Sequence, residues 1–202
     1  MERSQHKENT KAWWDERYER ADGFLYSKTP SSFVFDYIDL IPSAGKVLEV
    51  ASGEGRNAVA LALKGFQVTA IDFSAVAQAR AQKLAADSGA SVTWKNSDLD
   101  FFLPELLSFD AIVCVDFKVP ITLLKNLSRG LKSSGHLFME APLLESMKTN
   151  KSLEAFECYK PNEILTSLNP QTMSFQVQFY SELGPAKWGD KAFLIAKKTQ
   201  LF

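Results

Sequence analysis

Two glycines one residue apart, Gly53 and Gly55, follow the run Val47-Leu48-Glu49-Val50 and precede an alanine-rich segment, Ala58 to Leu63. The pattern reads as a strand, a tight turn and a helix start. Glycines at such a corner let the main chain turn sharply and let a ligand approach bare backbone. The helix start beyond them offers unpaired N–H groups at the positive end of a dipole. Gly53-Glu54-Gly55-Arg56-Asn57-Ala58 fits the dinucleotide fingerprint G-x-G-x-x-G/A, but two carboxylates shift the reading. Glu49 lies inside the strand, four positions ahead of Gly53; it would repel a pyrophosphate and hold an ammonium group. Asp72 closes the next apolar run, Phe66 to Ile71, where a carboxylate accepts both hydroxyls of a ribose.

Holding these groups at one corner needs strands and helices in alternation. Strands are expected at 46–50, 66–71, 91–95, 111–115 and 135–141. Helices are expected at 57–64, from a Ser74 cap to Ser88 with Ala77, Ala81, Leu84 and Ala85 inward, and at 120–131 with Leu124, Leu127 and Leu131 inward. Strict alternation argues a parallel α/β sheet with helices on both faces. Beyond residue 141 the style changes. A charged, exposed connection is expected over 145–154, and a short helix from Pro161 with Ile164, Leu165 and Leu168. A half-buried strand with Phe175, Val177 and Phe179 and a fully buried one at 192–196 then form a hairpin through Gly184, Pro185 and Gly189.

Ahead of the first strand, Lys11 to Arg20 is a helix candidate carrying Trp13, Trp14 and Tyr18, followed by a loop to Pro30. Ser31 or Ser32 caps a helix with Phe33, Tyr37, Leu40 and Ile41 on one face. The aromatic segment has two readings: an amphipathic helix docked on the core, or a lid.

Glu49-x-x-x-Gly53-x-Gly55, then Asp72, then Asn96-Ser97-Asp98-Leu99 resembles motifs I, II and III of the class I S-adenosylmethionine-dependent methyltransferases. Two positions depart from the usual pattern: Ala51 stands at the first glycine and Glu49 at the strand-one aspartate. The resemblance implies a Rossmann-like, doubly wound seven-stranded sheet of order 3-2-1-4-5-7-6 with strand seven antiparallel. It implies S-adenosyl-L-methionine as cofactor, held by Glu49, Ala51, Gly53, Gly55, Asn57, Asp72, Phe73, Asp98 and Leu99. Asp98 would accept from the adenine amino group and Leu99 would supply a backbone N–H. Trp14-Asp15-x-x-Tyr18 resembles the N-terminal segment that folds over the cofactor in small-molecule methyltransferases, which places Trp14, Tyr18 and Tyr26 over the donor. Arg17 would hold the methionine carboxylate or a neighbouring acid.

The end of strand four, Asp116-Phe117-Lys118, occupies the motif IV position, where the family binds acceptors. Its Lys-Val-Pro resembles the His-Leu-Pro of the tellurite-resistance type, with a fixed cation in place of a candidate base. The Asp/Asn-Pro-Pro-Tyr/Phe motif of amino-group nucleic-acid methyltransferases is absent. Asp116 can hold an ammonium, contact the donor or cap a helix. No Ser-His-Asp or Cys-His set is evident. His6 lies in the polar start of the chain, His136 and Cys114 read as structural strand residues, and Cys158, beside Lys160, is left open to reactivity. Methyl transfer from a sulfonium needs no acid on the leaving side, so proximity, alignment and exclusion of water suffice.

With 202 residues a single domain is expected, 1–29 as the N-terminal helix or lid segment and 30–202 as the core. A hydrophobic share of 46% and a net charge of −1 describe an ordinary soluble globular chain without a strong field for nucleic acid or membrane. Two cysteines make no disulfide framework or zinc site. The polar N-terminus is unlike a signal peptide, and no run is long enough to span a bilayer, so a cytoplasmic protein is expected. The expected partner is a small acceptor: a thiol, a chalcogen oxyanion or a metabolite. A nicotinamide-dependent oxidoreductase and a non-catalytic cofactor-binding domain are the alternatives. The former is disfavoured by Glu49 and by the lack of a Tyr-Lys or His pair.

Overall fold

The computed structural model describes residues 9–168, 173–183 and 190–199. Five parallel strands come first: β1 (Lys46–Val50), β2 (Gln67–Asp72), β3 (Val92–Asn96), β4 (Phe109–Val115) and β5 (Leu131–Pro142). β6 (Phe175–Ser181) and β7 (Lys191–Lys198) close the sheet, with β7 antiparallel to both β5 and β6. The order is β3-β2-β1-β4-β5-β7-β6, as the sequence implied. β1 sits between β2 and β4, with Glu49 paired to Ala70 on one side and Val113 on the other. The strand order reverses there, and the crevice outside the carboxyl ends of β1 and β4 is where open α/β sheets bind ligands.

The strands between the edges of the sheet are buried because helices cover both faces. On one face Leu48, Val50, Ile112 and Cys114 join Leu123, Leu124 and Leu127 of α5 (Ile121–Gly130). On the other, Val47, Ala70, Ala111 and Val113 join Phe33 of α2 (Ser32–Asp36) and Ala58 and Leu61 of α3 (Arg56–Leu63). α4 (Ala75–Ser88) begins where Ser74 Oγ accepts from the Ala77 N–H at 3.1 Å, and ends at Gly89 in the left-handed conformation. Its inward stripe is alanine, at positions 77, 81 and 85, which lets the helix approach the sheet closely.

Several elements differ from expectation. α2 lasts five residues and gives way to a 3-10 turn at Ile38–Leu40, because Tyr37 leaves helical geometry at φ −115°. β5 begins at Leu131, which pairs with Phe109 before the register shifts ahead of Ala111. In β6 a shift between Val177 and Phe179 breaks the alternation, and Val177 is 40% exposed. Residues 145–154 are largely exposed, but the stretch opens with a 3-10 turn at Leu144–Lys148 and a second follows it at Ala155–Glu157. The second of these has buried residues, continuing to Tyr159, whose hydroxyl accepts from the Val119 N–H at 2.9 Å. The short helix α6 (Glu163–Thr166) follows. His6 and the hairpin connection through Gly184, Pro185 and Gly189 lie outside the described residues. Among the described residues no helix is long and apolar enough to cross a membrane.

Candidate active site

β1 ends at Val50, and the chain then places Ala51, Gly53 and Gly55 in the left-handed region at φ 52°, 51° and 80°. Ala51 carries the strain of a non-glycine residue there, on the order of 1 kcal/mol, where the family pattern has glycine. The two glycines serve different purposes. A Cβ on Gly53 would stand 2.8 Å from the Tyr18 hydroxyl, whereas a Cβ on Gly55 would meet Trp94 at 2.7 Å and Ala81 at 2.8 Å. Gly55 thus caps α3 and lets β3 and α4 close against the corner.

Asp72, at the tip of β2, braces the corner. One carboxylate oxygen accepts from the Gly53 N–H at 2.7 Å and the other from the Ser74 N–H at 2.8 Å. Burial raises its pKa against the opposing effect of those bonds. Glu49, 2% exposed, receives the Asn57 amide at 2.9 Å on one oxygen. Its other oxygen is buried without a partner among the described residues. Burial pushes the Glu49 carboxyl up to about 7, only partly offset by Asn57. An unmatched buried carboxylate oxygen is costly, and a proton or a cationic group would satisfy it.

A cavity of about 680 Å³ has Glu49 in its lining. It brings together residues from five stretches: Glu49, Ala51, Gly53 and Asn57 at the corner, Asp72 and Phe73 after β2, Asp98 and Leu99 after β3, Asp116, Phe117 and Lys118 after β4, and Trp14, Tyr18 and Tyr26 from the N-terminal segment. Of the expected residues, Gly55 and Arg17 are not part of the lining. Lining residues that the sequence reading missed include Arg56, Phe156 and Glu157. For the last two, the only signal was an aromatic and acidic run, Ala155 to Tyr159, in a polar stretch.

The wall opposite the glycine corner is α1 (Lys11–Arg20), capped by Thr10 Oγ1, which accepts from the Trp13 N–H at 3.2 Å. Asp15 accepts from the Ser74 hydroxyl at 2.5 Å, and Tyr18 is 4% exposed. Of the two roles open to Arg17, the structure has the neighbouring acid. Its guanidinium lies 3.3 Å from Glu157 and stacks at 4.6 and 4.8 Å over Trp13 and Trp14. Tyr26 donates its hydroxyl hydrogen to Glu157 at 3.1 Å. Glu54 accepts from the Leu25 N–H at 2.7 Å and pairs with Arg80 at 2.9 Å, tying the loop after α1 to the corner.

At the far end of β4, Asp116 pairs with Arg56 at 2.6 Å and with Lys191 at 2.8 Å. Lys191 also pairs with Glu140, whose other oxygen accepts from the Ser31 hydroxyl. Burial works against the charge on Lys191, yet Asp116 and Glu140 hold its pKa above the ordinary lysine value. Lys118 pairs with Glu163 at 2.8 Å and stands 5.3 Å over the Tyr159 ring. Each lining cation is thereby matched: Lys11 by Asp15, Arg56 by Asp116 and Lys118 by Glu163.

Cys158, left open to reactivity by the sequence, is fully buried, and burial with the nearby Glu157 raises its pKa. Cys114 is buried and its thiol is raised likewise. His136 is not among the lining residues, and burial lowers its pKa. Among the described residues no cluster of His, Cys, Asp and Glu is arranged to hold a metal ion.

A family model described as a methyltransferase domain matches residues 47–135, the stretch from the glycine corner to the start of β5's apolar run. The chain is similar to a ubiquinone biosynthesis O-methyltransferase of Xylella fastidiosa (strain 9a5c), 30% identical over 154 residues, covering 73% of this chain and 58% of that protein. A protein of the same description from Xanthomonas axonopodis pv. citri (strain 306) is 29% identical over 135 residues, covering 63% of this chain and 54% of the relative. The chain thus spans about half the length of the curated relatives it matches. Among solved structures it is similar in fold to phosphoethanolamine N-methyltransferase 1 of Haemonchus contortus, crystallised with phosphoethanolamine and S-adenosylhomocysteine. That match has a TM-score of 0.74 at 16% identity, over 95% of this chain and 48% of the other. A Methanococcus maripaludis protein described as a putative S-adenosyl-L-methionine-dependent methyltransferase matches with a TM-score of 0.70 at 20% identity, over 95% and 94% of the two chains.

Proposed function

On the premise that this chain belongs to the class I S-adenosylmethionine-dependent methyltransferases, we propose that it transfers a methyl group from S-adenosyl-L-methionine to the oxygen of a small, neutral acceptor. The observation that carries the reading is Glu49, which lines the cavity, has one buried carboxylate oxygen without a partner among the described residues, and suits the ammonium of the donor's methionine portion. Asp72 uses both oxygens on backbone N–H groups, and each oxygen keeps a second lone pair for a ribose hydroxyl. Asp98 and Leu99 line the same cavity and would receive the adenine amino group and a ring nitrogen. Gly53 has its N–H on Asp72 and faces the Tyr18 hydroxyl, and Trp14, Tyr18 and Tyr26 would cover the donor in a single domain whose core begins at residue 30.

When bound, the donor supplies a methyl on a sulfonium with a neutral thioether as leaving group. The residues of this chain orient the partners and keep water out. The neutrality of the acceptor follows from the ion pairs. An oxyanion would have to displace a carboxylate from Arg56 or Lys118, since each already has one at 2.6–2.8 Å. Phe117, Pro120, Leu123 and Leu99 give that end an apolar wall. Oxygen as the receiving atom is supported by the relatives, which are described as O-methyltransferases. A hydroxyl must shed its proton on methylation, and Asp116 and Glu157 are the carboxylates near it.

The test is to incubate the chain with methyl-labelled donor and separate panels of phenols, thiols, amines and chalcogen oxyanions, and to identify products by mass spectrometry. O-methylated phenols are the expected product. Methyl transfer confined to thiols or chalcogen oxyanions, or none with donor bound, would overturn the reading.

A further inference from the structure

We infer that Arg56 is a positioning residue that couples closure of the segment ending at Thr29 to the placement of Asp116 at the acceptor end. The inference rests on the proposed function only in the ligand used for one of its two readouts.

Arg56 is the first residue of α3, rooted immediately after the Gly55 cap, so its backbone belongs to the rigid corner. Its guanidinium is a planar fork with fixed donor directions, and here it serves two elements. One nitrogen donates to the Tyr26 carbonyl at 3.2 Å and to the Thr29 carbonyl at 3.1 Å. The other donates to Asp116 at 2.6 Å. Tyr26 and Thr29 belong to the stretch that follows α1, and the Tyr26 ring lines the cavity while its hydroxyl bonds Glu157. Asp116 has no hydrogen bond or ion pair within residues 11–29. Among the described residues its polar contacts are Arg56, Lys191 and the Glu140 carbonyl, the last accepting from the Asp116 N–H at 2.8 Å.

Asp116 is also a residue that needs holding. It sits at φ 53°, a left-handed conformation that aspartate tolerates better than most residues but that its ion pairs help to hold. If Tyr26 and Thr29 withdraw, Arg56 loses two of its three acceptors and is free to leave the geometry that pins Asp116. If Asp116 is neutralised, the fork loses its charged partner, and its hold on the two carbonyls loosens. Each end therefore biases the other, and the coupling is reciprocal. A lysine at this position keeps the charge but is a point donor on a flexible stem, unable to span three acceptors in the same way.

The test uses the full 202-residue chain and the variants Arg56→Lys, Asp116→Asn and their double. The first readout is the rate of protease cleavage within residues 11–29 in ligand-free protein. The second is calorimetric affinity for S-adenosylhomocysteine. Each single variant is expected to raise cleavage and to weaken binding on the order of tenfold. The double should be no worse than the more affected single, because both break one linkage. Multiplicative losses in the double, or cleavage in Arg56→Lys at the wild-type rate, would overturn the inference. Melting temperatures screen for loss of fold, and Arg56→Gln replaces Arg56→Lys if the latter melts early. Wild-type protein that ignores S-adenosylhomocysteine would defeat the proposed function, while the cleavage comparison would still decide the role of Arg56.

Discussion

Glu49 is the most constrained carboxylate in the site, with one oxygen on Asn57 and the other unmatched. Burial raises its pKa from 4.5 to about 7, so the folded chain binds a proton there that the unfolded chain has released. The stability of ligand-free protein should therefore fall as pH rises between those two values. Asp72, also raised by burial, contributes in the same direction. Donor binding should show the opposite trend, since an ammonium prefers the ionised carboxylate. Affinity for S-adenosylmethionine should rise with pH up to about 7 and then level off, and Glu49→Gln should flatten the rise. Titrations across pH in the wild type and the variant check both slopes, and a pH-independent wild type would remove Glu49 from the donor site. Glu49 and Asp72 were legible because each interrupts or ends an apolar strand, and Asp98 because it lies in the loop just after strand three. The Arg17–Glu157 pair was not, because its members are 140 positions apart and neither sits in a periodic run.

The elements that carry these residues were legible where the periodicity is strong. β1, α3, α4 and β7 lie within a residue or two of their expected limits, since alternation of apolar runs and alanine-rich helices leaves little choice. The departures have local causes: Tyr37 breaks α2, and register shifts displace the start of β5 and the alternation of β6. The two glycines illustrate what spacing alone conceals. The motif treats them as a pair, but Gly53 faces Tyr18 and Gly55 faces Trp94 and Ala81. Gly55→Ala should lower global stability by about 1–3 kcal/mol, through left-handed strain and a clash with packed neighbours. Gly53→Ala should instead push Tyr18 away and raise protease cleavage within residues 11–29, with a smaller loss of stability. Chemical denaturation and limited proteolysis on both variants distinguish them, and equal effects on both readouts would merge the two roles.

At the scale of the whole molecule, the strand order and the antiparallel β7 follow from the resemblance, and the structure has them as expected. What pattern reading lacked was the second side of the closure, the turn at Ala155–Glu157 that meets the N-terminal segment. α1 and the 3-10 turn at Ala155–Glu157 meet across the cavity through Arg17, Tyr26 and Glu157. Such long-range contacts depend on tertiary packing that no local window carries. The central claim is that this cavity is built for a sulfonium donor and its thioether product, with its acidic corner set against a pyrophosphate. Isothermal titration of the chain with S-adenosylhomocysteine, and separately with NAD, tests it most directly. The account predicts saturable one-to-one binding of S-adenosylhomocysteine, weakened by Asp72→Ala on the order of tenfold, and no binding of NAD. Saturable binding of NAD with no heat from S-adenosylhomocysteine would contradict it.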